Sequence, residues 1–334
     1  MKDIANYSLK AHNTFGIDAR CSRFLEYATV AEAQTIARLL GEAQALYIII
    51  GGGSNLLLTR DFDGIVVHSA LKGYSFEGND MMCCGSGMLW DDVVATSLQA
   101  GLYGAENLSL IPGDVGASAV QNIGAYGAEA QDVIEQVEAV EIPTGQLRVI
   151  RREECCFGYR QSRFKQEWKN RYLITAVTYR FSRTFQPRLD YGNIRAELQQ
   201  RGIDSPTAQQ LRDVIIGIRR QKLPDPEVTG NAGSFFMNPV FSRAKYETLA
   251  AQYPDMPHYH IDSQTEKIPA GWMIDQCGWR GRSLGRAGVH SKQALVLVNL
   301  GGATGQEIVT LCQAIQHDVK TKFGVEITPE VNII

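Results

Sequence analysis

The chain has 334 residues, 44% of them hydrophobic and 21% charged, and a formal net charge of −3. That length calls for two or three domains with sizeable cores, and the composition is that of an ordinary globular protein. The balance of charge offers no general attraction to nucleic acid, no run approaches the ~20 apolar residues of a membrane span, and residues 1–16 hold no apolar core of the signal-peptide kind. A cytoplasmic protein with neither a nucleic-acid nor a membrane partner is expected.

The first segment, residues 1–69, reads as a small αβ unit. Thr29 and Glu32 form a capping-box pair, residues 29–40 a helix with Ile36, Ala37 and Leu40 on one face, and Gly41 suits its C-terminal end. Ile48 to Ile50 end a buried strand that leads into the turn Gly51-Gly52-Gly53-Ser54-Asn55, after which Leu56 to Leu58 resume an apolar run. In the second segment, 70–205, a helix is predicted over Trp90–Ala100 and strands over 133–142 and 172–182. Leu173, Val177, Tyr179 and Phe181 should share one face at period two, and Pro143-Thr144-Gly145 marks a turn. The third segment, 206–334, opens with a Thr207/Gln210 capping box and a helix striped by Leu211, Val214, Ile215 and Ile218. Arg219, Arg220 and Lys222 complement its dipole and Pro224 and Pro226 stop it. A last helix begins at Thr304 and Glu307 and buries Ile308, Leu311, Cys312, Ile315 and Val319. The fold class expected is α+β (mixed α/β).

Seven cysteines, four of them in the adjacent pairs Cys83–Cys84 and Cys155–Cys156, include no CxxC, and the six histidines show no HExxH. No metal site is predicted, and reduced cysteines acting as small apolar residues are expected. His258 and His260 read as part of a polar surface loop.

Two glycine clusters carry the chemistry. Residues 104–127, GAENLSLIPGDVGASAVQNIGAYG, hold Gly104, Gly113, Gly116, Gly124 and Gly127 with almost no charge. Such a segment is either packed for its own sake or lays bare main-chain amides against a polar ligand. The GGGSN turn upstream favours the ligand, because successive N–H groups in such a turn make an anion-binding nest. It is no Rossmann fingerprint, since Leu56 stands where the third glycine belongs and no helix follows. It is no P-loop, since no Gly-Lys-Ser/Thr follows. Two glycine loops gripping one diphosphate-bearing ligand outside the usual dinucleotide fold are inferred.

The GGGSN turn followed by IPGDVGASAVQNIGAYG resembles the flavin-binding domain of the vanillyl-alcohol-oxidase type. From HNTFGI (residues 12–17) to PEVNII at the end, the chain is similar to the UDP-N-acetylenolpyruvoylglucosamine reductase family, in its longer subtype. The resemblance implies a two-part FAD-binding module, 1–69 and 70–205, and a C-terminal α+β substrate domain, 206–334, whose tail returns to the site. It implies FAD contacts from Gly51, Gly52, Gly53, Ser54 and Asn55 and from Pro112, Gly113, Gly116, Ala117, Ser118, Gln121, Asn122, Gly124, Ala125, Tyr126 and Gly127. The first loop has no His or Cys, so non-covalent FAD is expected, with NADPH as hydride donor. The implied reaction reduces an enol ether carboxylate to a lactyl ether, which calls for groups that stabilise negative charge and for a proton donor.

Three residues match the family's catalytic positions. Arg160, in FGYRQSRFK, can clasp a carboxylate through two N–H donors; by residue type alone it would pass for surface charge. Ser234, in GNAGSFFMNP, is implied as the proton donor, where some relatives carry cysteine; alone it would be a turn serine. Glu330, in TPEVNII, has apolar neighbours and is implied to act with Arg160. Tyr191, Lys222, Asn238 and Gln293 match positions that contact a nucleotide-sugar substrate, and Lys222 also serves as a helix-terminal charge. A monomer is expected. The alternatives are a flavin-dependent oxidase and a non-catalytic nucleotide-sugar binding protein.

Overall fold

The computed structural model describes residues 1–43 and 45–334. Contacts divide the chain into two units that interleave along the sequence: 1–7, 21–52 and 63–219 in one, and 8–20, 53–62 and 220–334 in the other. The three-segment division drawn from the sequence does not anticipate this interleaving.

The first unit is built on two sheets. One has the strand order Lys2–Ser8, Arg20–Tyr27, Phe62–Ser69, Tyr47–Ile50, the last two parallel. The other is antiparallel, ordered Leu147–Arg151, Ile134–Glu141, Tyr172–Arg180, Met81–Gly85, Tyr74–Glu77. The helix Val30–Glu42 buries Ala33, Ile36, Ala37 and Leu40 against Leu25, Tyr27, Ile65 and Val67 of the first sheet and Val140, Ile142 and Leu173 of the second. Thr29 caps it by accepting from the Glu32 N–H, but the Glu32 carboxylate reaches Ala28 N–H at 2.7 Å. Gly41 does not end this helix. It lies in the last turn, where a Cβ would sit 1.8 Å from the Cβ of Pro143, so close packing explains the glycine.

The strand Tyr172–Arg180 also departs from simple alternation. A bulge at Thr175 opposes the register step between Glu138 and Ala139. An extra residue reverses which side of the sheet the following side chains occupy. Leu173 accordingly joins the core under the helix Val30–Glu42, whereas Val177, Tyr179 and Phe181 join the second core with Trp90, Val93 and Val115. The four residues do not share one face.

Helix Trp90–Gln99 forms as expected, and the turn after Glu141 is closed by Gly145 N–H on the Glu141 carbonyl at 2.8 Å. The helix Ala208–Lys222 starts at a reciprocal cap, Thr207 Oγ1 accepting from Gln210 N–H and Gln210 Oε1 from Thr207 N–H. Its apolar stripe packs on Ile194 and Leu198, and Arg212 makes a two-pronged ion pair with Asp91 at 2.7 and 2.9 Å.

In the second unit a four-stranded sheet, Gly230–Asn231, Leu297–Asn299, Ala287–Val289, Ser283–Leu284, is backed by the helix Gly305–Phe323, with its Thr304/Glu307 capping box and buried Ile308, Leu311, Cys312, Ile315 and Val319. A three-stranded sheet, Val240–Ser242, Thr265–Lys267, Tyr259–His260, places His260 in a short strand, exposed and 3.0 Å from Glu266. The C-terminal strand Asn332–Ile333 runs parallel to Leu56–Leu57. Cys21, Cys84, Cys155 and Cys312 are buried, whereas Cys156 is exposed. Among the described residues, no helix is long and apolar enough to cross a membrane.

Candidate flavin and substrate site

The first glycine turn leaves the strand Tyr47–Ile50 where Ile50 pairs with His68. Gly51 and Gly52 lie against the second glycine segment: a Cβ on Gly51 would meet Ala117 Cβ at 3.3 Å, and one on Gly52 would meet Asp114 Oδ1 at 3.4 Å. The first unit therefore brings these two parts of the glycine clusters together, with only the Ala117 methyl and the Asp114 carboxylate at the contact. Gly53, at φ +66°, belongs to the second unit and packs on residues 12–14: a Cβ there would overlap His12 O at 1.9 Å. Asn55 donates its side-chain amide to Glu330 O at 3.3 Å and accepts at its own carbonyl from Asn332 N–H at 3.1 Å.

The second segment turns at Gly113, φ +118°, and enters the short helix Val115–Gln121. Gly116 approaches Ser86 closely enough that its N–H donates to Ser86 O at 2.9 Å. Two of the polar residues expected to face the ligand have their side chains engaged inside the protein. Ser118 is fully buried, bonded to Val115 O and to the Tyr179 hydroxyl at 2.7 and 2.8 Å. Asn122, also buried and in a left-handed conformation, bonds Glu129, Gly158 O and Gln131 N–H. Their side chains brace the loop.

Arg160 occupies a tight corner between Gly158 and Gln161, whose backbones exchange two hydrogen bonds of 3.0 Å. Its φ is +56°. A left-handed residue with a Cβ costs on the order of 1 kcal/mol, so a turn that would favour glycine holds arginine instead. Its Nη2 donates to Gly124 O at 2.5 Å, and a Cβ on Gly124 would lie 2.8 Å from Nη1. That Cβ would also lie 2.9 Å from the Ala128 carbonyl oxygen, a backbone atom that cannot move aside as a guanidinium can, so both neighbours favour glycine at 124. Sequence reasoning missed Arg219, which it read as a helix-terminal charge. Arg219 lies within electrostatic reach of Tyr126, Asp91 and Arg160; desolvation disfavours its charged form, and its buried Nε has no hydrogen-bond partner among the described residues. The apolar periodicity of its helix gave no sign of this. Tyr191 lies on the same loop system, its ring 6.4 Å from and perpendicular to that of Tyr126, with its Cβ 3.5 Å from where a Gly127 Cβ would be.

The second unit gathers the other predicted residues. Ser234 is exposed, preceded by Gly233 at φ +67° and followed by the buried Phe235 and Phe236. Glu330 N–H donates to Phe235 O at 2.8 Å, so the C-terminal segment lies alongside the Ser234 turn. Asn238 Oδ1 accepts from Ala270 N–H at 3.0 Å, and a Cβ on Gly271 would come within 3.1 Å of Gln293 Oε1. Asn238 and Gln293 therefore converge on the start of the helix Ala270–Gln276. Lys222 is exposed at the end of its helix.

The donor set fits a flavin dinucleotide. Bare-backbone turns offer N–H groups to a diphosphate, and Gly51 and Gly52 pass within contact distance of Asp114 and Ala117, so the two turns lie close together. A family model of the FAD binding domain matches residues 22–151. The chain is thus of the FAD-binding class, with the mixed α+β fold expected.

A second model, that of the UDP-N-acetylenolpyruvoylglucosamine reductase C-terminal domain, matches residues 225–334. The UDP-N-acetylenolpyruvoylglucosamine reductase of Bacteroides fragilis (strain YCH46) is 51% identical over 332 residues, covering 98% of this chain and 99% of the relative. That of Burkholderia multivorans is 45% identical over 333 residues, covering 98% and 95%. The solved UDP-N-acetylenolpyruvylglucosamine reductase of Thermus caldophilus, 22% identical, shares the fold with a TM-score of 0.70 over 99% of this chain and 98% of that one. The chain belongs to the UDP-N-acetylenolpyruvoylglucosamine reductase family.

Proposed function

We propose that the protein is an NADPH-dependent, FAD-containing reductase that converts UDP-N-acetyl-3-O-(1-carboxyvinyl)glucosamine to UDP-N-acetylmuramate in peptidoglycan precursor synthesis. The observation that carries the reading is Arg160, kept in a left-handed corner with its guanidinium against Gly124 of the flavin-type loop. FAD held by the glycine turns would supply, once reduced by NADPH, the hydride for the terminal vinyl carbon. Arg160 clasps the substrate carboxylate, into which negative charge spreads, through its planar fork of N–H donors. Ser234 delivers its hydroxyl proton to the adjacent carbon, and its exposed turn is fixed by the buried Phe235 and Phe236. Glu330, anchored to Phe235 O, acts with Arg160 on the same developing charge.

Lys222 and Tyr191 hold the diphosphate of the nucleotide sugar, and Asn238 and Gln293 contact the substrate from the start of the helix Ala270–Gln276. The bare turns of both glycine segments bind FAD without a covalent bond, since residues 51–55 contain no His or Cys. The enzyme works as a cytoplasmic monomer. An oxidase of the vanillyl-alcohol-oxidase type would account for the glycine loops but gives no role to Ser234 and Glu330 side by side. The test of the whole reading is anaerobic: a yellow protein, bleached by NADPH, should regain its colour on addition of the enolpyruvyl nucleotide sugar, and failure to do so removes the proposed reaction.

Two further results are expected. Acid precipitation should leave all flavin in the supernatant; flavin retained in the pellet would contradict non-covalent binding. Lys222→Ala should raise the apparent KM for the nucleotide sugar by about tenfold or more, the scale of a charge-assisted contact to a phosphate, with the flavin spectrum unaltered. An unchanged KM would take Lys222 away from the diphosphate.

A further inference from the structure

Behind the two glycine segments of the first unit lies a charged cluster with no place in the chemistry above. Asp114 stands at the N-terminal boundary of the helix Val115–Gln121, where an aspartate ordinarily accepts a backbone N–H of the first turn. Here its side chain makes no such bond. The carboxylate is buried and turned the other way, its two oxygens 3.4 Å from where Cβ atoms on Gly51 and Gly52 would lie. His68, which pairs with Ile50 at the entry to the first turn, points Nε2 at Asp114 Oδ2 across 3.8 Å and Nδ1 at Glu26 Oε2 at 3.0 Å. Glu26 is itself buried and paired with Lys2 at 2.5 Å, and the Phe24 ring is stacked on the imidazole with 6.2 Å between centroids. The charged groups facing His68 are thus Glu26 from its neighbouring strand and Asp114 from the second glycine segment, with Lys2 behind Glu26.

A buried carboxylate directly behind turns that bind a diphosphate is of the wrong sign for the ligand. Its repulsion is strong because burial weakens solvent screening. We propose that His68 is a positioning residue for the flavin: as an imidazolium between Glu26 and Asp114 it cancels the Asp114 charge behind Gly51 and Gly52, joins the two glycine segments, and thereby sets the affinity for FAD. The inference rests on the FAD reading above.

Burial works against the charged imidazole, but Asp114 and Glu26 outweigh it and hold the His68 pKa above its ordinary value. A raised folded-state pKa means that the contribution is complete at acid pH and is lost as pH climbs through that value. FAD affinity should therefore fall as pH rises above neutrality.

The test is FAD binding to the apoprotein, followed by flavin fluorescence from about pH 6 to about pH 9. For the unaltered protein the Kd is expected to rise about fivefold or more over this range. His68→Gln should give a flat profile at the weak, high-pH level. Asp114→Asn should also be flat but at the tight, low-pH level, because it removes the charge that needs cancelling. A mere loss of structure would weaken both variants, so the opposite levels distinguish positioning from unfolding. Should His68→Gln not fold, Asp114→Asn alone decides: a flat, tight profile supports the role, whereas the original slope overturns it. Parallel profiles for the unaltered protein and His68→Gln also overturn it. Flavin binding at no pH by the unaltered protein would instead defeat the FAD reading itself.

Discussion

Ser234→Ala is expected to bleach normally with NADPH under anaerobic conditions and to recover its colour very slowly when the nucleotide-sugar substrate is added. The first half-reaction moves a hydride between two cofactors and needs no proton on carbon. The second leaves negative charge on a carbon that must be protonated. General acid catalysis is typically worth about 10²–10⁴-fold, and water is a poorly placed substitute for a hydroxyl fixed beside Phe235 and Phe236. The side chain is exposed, so stability should change little. Stopped-flow spectroscopy of the flavin band separates the two phases. Slow bleaching with normal reoxidation would show that Ser234 is not the proton donor.

The second large effect concerns Arg160. Arg160→Lys should slow the substrate half-reaction by about 10²–10³-fold, the usual cost of removing one donor aimed at developing charge. An ammonium cannot hold the Gly124 carbonyl and present a planar pair of N–H groups to a carboxylate at once. Arg160→Gly offers a sharper comparison. At φ +56° the arginine backbone is strained, and glycine relieves that strain. Glycine also raises the entropy of the unfolded chain by a comparable amount. What remains is the loss of the guanidinium bond to the Gly124 carbonyl, so the melting temperature should fall by several degrees, on the order of 2 kcal/mol, while reduction of substrate is lost. A large fall in stability with substrate reduction retained would make Arg160 a structural residue, contrary to the role proposed here.

The architecture was legible wherever a local signal coincided with a tertiary need. The helices at 208–222 and 305–323 could be placed from capping pairs and 3.6-residue apolar periodicity, because the stripe that buries a helix is written in its own sequence. The glycine turns were legible too, because several adjacent residues without side chains have few other uses. Arg160, Ser234 and Glu330 were not legible as chemistry from residue type; they stood out only through the motifs around them.

Tertiary structure decided the rest. Gly41 looked like a helix terminator and proved to be a packing contact with Pro143, which lies a hundred residues away in sequence and leaves no local trace. The bulge at Thr175 split an apparently single apolar face between two cores, since alternation is counted along one strand and a bulge is defined by its partner. Arg219 read as a helix-terminal charge and has a desolvated guanidinium within electrostatic reach of Tyr126, Asp91 and Arg160, residues from elsewhere in the chain that its own helix does not reveal. The internal bonds of the Ser118 and Asn122 side chains, to Tyr179, Glu129 and Gly158, likewise depend on partners that the loop's own sequence does not specify. Sequence by itself determined the helices near 30–42, 90–99, 208–222 and 305–323, the strands near 47–50, 134–141 and 172–180 and the bare turns, because those follow from short-range sterics, capping and periodicity. Which buried charges meet, as at Glu26, His68 and Asp114, was decided only by the fold, because that pairing depends on strand order and loop approach between residues far apart in the chain.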